Sequence, residues 1–68
     1  MEKGWESIYS SDKPHLAGIV RELLAESGIE SIEMNHRDSF LTTIGEIEIF
    51  VMEKDSVLAR TIILQHNL

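Results

Sequence analysis

Five consecutive residues, Asn35, His36, Arg37, Asp38 and Ser39, concentrate the chemistry-bearing side chains of this 68-residue chain. A serine, a histidine and a carboxylate are the types that nucleophilic catalysis needs as nucleophile, base and orienter. Neighbours along a loop rarely point at one another, however, and no Gly-x-Ser-x-Gly turn lifts Ser39 into the open. Arg37 could fork onto a carboxylate or a phosphate. Asn35 and Asp38 could equally hydrogen-bond the local backbone and only shape a turn. Residues 35–39, within a polar connection over 35–45, are therefore a candidate ligand- or partner-binding loop and also a candidate structural turn. No catalytic residue is expected there.

The other reactive types point the same way. The three histidines, His15, His36 and His66, fall near a helix start, in a loop and near a helix end. No pair has the i, i+4 spacing of a helical metal site, and a zinc site usually needs about four ligands. There is no cysteine. Neither a metal nor a cofactor is expected. Carboxylates pair up as Glu22 with Glu26, Glu30 with Glu33, and Glu46 with Glu48. Two acids divide acid and base roles only where their environments differ, and alternating glutamates on a strand are more simply a solvated face. An enzyme is not the expectation.

The totals narrow the class further. Twelve acidic residues against six basic ones leave a formal charge of −6. Nucleic-acid binding rests on a basic surface that neutralises phosphates, so nucleic acid is not an expected partner. An acidic surface favours solubility and a basic partner patch instead. No run approaches the ~18 apolar residues of a membrane span, and "MEKGWESIYS" has no apolar stretch behind its lysine, unlike a secretory signal. A cytoplasmic protein is expected. A chain this short buries only about 60% of its unfolded surface, and such domains often lean on a partner.

The elements that must position these residues follow from spacing. "GWESIYS" alternates and predicts a first strand. Ser11 or Asp12 can cap a helix that opens on Pro14. Leu16, Ile19, Val20, Leu23 and Leu24 make its apolar stripe, and Gly28 stands where a left-handed cap is wanted, with Ile29 folding back on the last turn. Ile32 and Met34 alternate with Glu33 as a short second strand. "GEIEIFVM" is the clearest strand, with Ile47, Ile49 and Val51 on one face. Asp55 is placed to cap a second helix carrying Ala59, Ile62, Ile63 and His66 on one side and Leu58 at its flank.

Two helices with one apolar stripe each are best buried on one face of a sheet. A right-handed first crossover places strand three between strands one and two. The expected fold is α+β, a truncated ferredoxin-like β-α-β-β-α domain over 1–68, with a three-stranded antiparallel sheet in the order 1-3-2. One sheet face is then left without helices. Trp5, Tyr9, Phe50 and Met52 are the candidate interface residues on it. An RNA-recognition platform would need basic flanks, and "EIEIFVME" offers glutamates. Strand one should also have a free edge, with Glu6 as its one charge and no proline, so a homodimer or a partner complex is expected through it and the outer face.

The ordered set "IYSSDKP", "LLAESGI", "NHRDS" and "GEIEIFVMEKD" resembles a family of small prokaryotic signal-transducing proteins of unassigned biochemistry. The resemblance spans nearly the whole chain. That family looks like a small relative of the PII (GlnB-like) proteins, which implies a ferredoxin-like fold and a regulatory role, with a small-molecule effector as the alternative to a protein partner. The chain departs from PII proteins in lacking a final strand, a long effector loop and a phosphate-cradling glycine pattern.

Overall fold

The computed structural model describes residues 4–35 and 47–68. Strand β1 spans Trp5–Ser11, helix α1 Pro14–Glu26, strand β2 Ser31–Asn35, strand β3 Ile47–Met52 and helix α2 Ser56–Gln65, with a single 3-10 turn over Glu53–Asp55. The sheet order is β1-β3-β2 and both pairings are antiparallel. This is the expected α+β arrangement, consistent with a ferredoxin-like topology. Among the described residues no helix is long and apolar enough to cross a membrane.

Strand β3 lies in the middle and is apolar on both sides. Ile47, Ile49 and Val51 are within 1% of complete burial, and Phe50, on the opposite side, is 6% exposed. The core joins the first three to Ala17, Val20, Leu24 and Ile29 and to Ala59, Ile62 and Ile63. On α1 the buried line is thus Ala17, Val20 and Leu24, whereas Ile19, expected in the stripe, is 44% exposed. The helix is turned so that the small Ala17 meets the sheet, which sequence spacing alone does not favour over a larger neighbour. On α2, Leu58 is half exposed and His66 is exposed. His66 falls on the apolar side of the helical wheel, but the helix ends at Gln65, so it serves as the C-cap.

Both helices begin without a side-chain cap bond. Neither Ser11 nor Asp12 is the cap of α1. Pro14 forces the residue before it into extended backbone, and Lys13, at φ −110° and ψ 108°, takes the cap position. Ser11 instead accepts the Lys13 N–H on its hydroxyl at 3.0 Å. Asp55 does stand at the cap position of α2, without using its carboxylate. There the Ser56 hydroxyl donates back to the Glu53 carbonyl at 3.0 Å, closing the 3-10 turn.

The helix ends are alike. Gly28 has φ +78°. The Ile29 N–H donates to the Leu24 carbonyl at 2.8 Å and the Gly28 N–H to the Ala25 carbonyl at 3.0 Å. That pair is the Schellman arrangement, in which an apolar residue beyond the left-handed one folds onto the last turn, and Ile29 and Leu24 are both in the core. Helix α2 repeats it. Asn67 has φ +56°, the Leu68 N–H reaches the Ile63 carbonyl and the Asn67 N–H the Leu64 carbonyl, and Leu68 packs on the core.

Gly28→Val should lower stability by at least about 1 kcal/mol, because a β-branched residue is an outlier at positive φ. Gly18→Ala should raise it by about 1 kcal/mol, since Gly18 is helical and an added Cβ there meets nothing within 4 Å. Urea unfolding of the two variants reads both, and an unchanged midpoint for Gly28→Val would mean that the cap contributes nothing.

Candidate functional site

Of the loop proposed from sequence, only Asn35 is described. It is exposed at the end of β2, opposite Ile47. His36, Arg37, Asp38 and Ser39 lie outside the described residues. His15 is exposed, and among the described residues no three His, Asp or Glu side chains come together as metal ligands.

The outer sheet face is set by register, because directly opposed residues share a face. Trp5 lies opposite Met52 and Ser7 opposite Phe50. Ile32 lies opposite Phe50 on the other flank, and Met34 opposite Glu48. Trp5, Met52, Phe50, Ile32 and Met34 therefore make one apolar band across all three strands. Trp5 and Met52 are half-buried. Ile32 and Met34 are 38% and 46% exposed. Glu48 is the charge in the band, and its carboxylate accepts the Ser7 hydroxyl at 2.8 Å.

Tyr9 is not part of it. The pairing of β1 with β3 shifts by one residue between Ser7 and Tyr9. Such a bulge sets two residues against one on the partner strand. Beyond it Tyr9 lies opposite Ile49, on the helix side, and packs with Ile8 against the core. Strict alternation from Trp5 would have kept Tyr9 on the outer face, and one extra residue reverses it.

Ile32 and Met34 are the residues that sequence reasoning left out. A half-covered strand normally turns its apolar residues to the core. Strand β2 does the reverse, with Ser31, Glu33 and Asn35 on the helix side, opposite Val51, Ile49 and Ile47. Arg21 of α1 explains how that side is satisfied. Its guanidinium lies 3.7 Å from the Glu33 carboxylate and makes long bonds to the Ser31 hydroxyl and carbonyl at 3.4 and 3.5 Å. A short hairpin turn would pin the register of β2 on β3, but residues 36–46 separate the two strands.

The family described as "Putative prokaryotic signal transducing protein" matches residues 5–66. The chain belongs to this family. Its name points to a signal-transducing role, and the match takes in every strand and helix of the fold. No curated protein and no solved structure is significantly similar to the chain.

Two residues on the outer face should behave oppositely when truncated. Phe50→Ala removes a buried ring and should cost about 3 kcal/mol or more. Met34→Ala changes a side chain that is nearly half exposed and should stay within about 1 kcal/mol. Denaturant midpoints decide it: equal losses would mean that Met34 is a core residue rather than part of a contact face.

Proposed function

We propose that this member of the signal-transducing family is a cytoplasmic, non-catalytic module that works by protein–protein contact through its outer sheet face. The observation that carries the reading is the reversed polarity of β2, which turns Ile32 and Met34 to the side without helices. Together with Trp5, Phe50 and Met52 they form an apolar band in which Glu48 is the one charge among the described residues, on a chain whose formal charge is −6. Apolar bands rimmed by polar residues mark contact sites.

Size sets the kind of contact. Three strands at about 4.8 Å spacing and six residues at about 3.3 Å rise give a face of roughly 14 by 20 Å. That footprint is well below the ~800 Å² per partner of a stable complex. A brief, reversible contact fits it better than a permanent one. A partner with an apolar patch and a basic rim gains from the acidic surface. A second copy carries the same net charge of −6, so the homodimer is the weaker form of the same reading.

Met34→Lys should keep the melting temperature and weaken partner capture at least tenfold in a pull-down against the wild-type chain. Rising salt should weaken the wild-type contact as well, through screening of the rim. Unchanged capture by Met34→Lys would remove the outer face from the function. A small-effector sensor using residues 35–45 would instead gain thermal stability with ligand, as RT ln(1 + [L]/Kd), and lose that gain in Arg37→Ala.

A further inference from the structure

The chain has three methionines and no cysteine. Thiol redox chemistry is closed to it, and its oxidisable sulfurs are thioethers. Met1 lies outside the described residues. Met34 and Met52 both stand on the outer sheet face, Met34 opposite Glu48 and Met52 opposite Trp5. Neither belongs to the core. Met34 is 46% exposed on the edge strand β2, and Met52 is half-buried on the central strand.

The edges of the sheet have a different character. Arg60 of α2 donates to the Ser7 carbonyl at 3.3 Å and pairs with the Glu6 carboxylate at 2.6 Å. Arg21 of α1 donates to the Ser31 carbonyl at 3.5 Å. Both arginines come from the helix side, and Glu48 is the one charge among the described residues of the outer band. A new polar atom at an edge would join polar company. One on the outer band would break an apolar run.

We propose that Met34 is a reversible oxidation site, and that its sulfoxide turns down the contact made by the outer face. The proposal rests on the contact reading above and adds its regulation. The oxidant is hydrogen peroxide. The thioether sulfur attacks one peroxide oxygen, and an S–O bond forms as the O–O bond breaks. The departing hydroxide takes the proton of the transferred oxygen and leaves as water. Sulfur gives up two electrons, and the peroxide is reduced. A flexible apolar side chain becomes a polar one, and an apolar partner lying on it would leave the sulfoxide oxygen without a donor. Met34 is outside the core, so packing is spared. That separates a switch from the damage that a sulfoxide does inside a core. Methionine sulfoxide reductases reverse the step with a dithiol: two thiols become a disulfide, and the oxygen leaves as water. Met52 is more covered and reacts later.

Peroxide treatment of the full chain tests the site without a partner. Cleavage after lysine and arginine puts Met1, Met34 and Met52 on separate fragments, and mass spectrometry reads the oxygen gained by each. Retention on a phenyl resin reads the apolarity of the surface, and the melting temperature reads the fold. The Met34 fragment should gain oxygen at least about threefold faster than the Met52 fragment, because oxidation follows exposure. Retention should fall at least about twofold as the thioether becomes polar, while the melting temperature holds. Reductases with dithiothreitol should restore it. Met34→Leu should keep its own retention through the same treatment, and Met52→Leu should lose it as the wild type does. Faster oxidation at Met52 overturns the proposal. So does a retention loss that persists in Met34→Leu, or a melting temperature that falls as Met34 is oxidised. In the pull-down, the oxidised wild type should lose capture as Met34→Lys does. Full capture by the oxidised chain beside a failing Met34→Lys overturns the switch and leaves the contact reading standing. Capture untouched in both overturns the contact reading, and the regulation with it.

Discussion

Every other element of this fold is registered on β3. Among the described residues it is the one strand with a neighbour on each side, and its six residues set which face each residue of β1 and β2 presents. Ile47, Ile49 and Val51 meet both helices, so the helix side of the sheet is decided there. Phe50 closes the opposite side at the centre, between Ser7 and Ile32. A strand apolar on both sides is ordinary in a sheet covered on both faces. Among the described residues helices cover one face only, and the second apolar face of β3 is what makes the outer surface different from a plain solvated one.

The flanking strands answer that constraint in different ways. Strand β1 inserts a bulge, which lets Trp5 join the outer band while Ile8 and Tyr9 both turn to the core. Strand β2 keeps its register and sends its polar residues to the helix side. Such residues would be costly against a sealed core. They are tolerated because β2 is an edge, where Glu33 reaches the partly exposed Arg21. Exposed ion pairs of this kind are worth about 0–1 kcal/mol, so Arg21 and Arg60 matter more for where they stand than for stability.

The architecture was legible because its signals are local. Pro14, the Leu23-Leu24 pair, the Gly28-Ile29 exit and the alternation of Ile47, Ile49 and Val51 each depend on a few neighbouring residues, and all four stand as expected. The second helix exit was missed because Asn67 takes the left-handed conformation that Gly28 advertises openly. The facing of Tyr9 was missed because a bulge has no composition of its own. Ile32 and Met34 were missed because apolar residues on a strand are taken to face the core, and only the pairing with β3 shows otherwise. The Arg60 contact joins residues 53 positions apart and has no sequence signature.

The two kinds of open surface on this sheet therefore differ in a way that bears on how it can be used. An edge offers backbone groups, which any extended chain can match, and so it carries little specificity of its own. A face offers side chains, and its shape and charge can select among partners. The arginines stand on the edges, and the apolar residues stand on the face. A signalling contact has to be selective and reversible. The proposed contact would use the surface that discriminates, while an arginine occupies one backbone carbonyl at each edge. The small footprint of the face would hold affinity down, and the net charge of −6 would favour a basic partner. On the proposed reading, Trp5, Ile32, Met34 and Met52 supply the side chains that a partner would meet, while Arg60 and Arg21 occupy backbone carbonyls at the two edges.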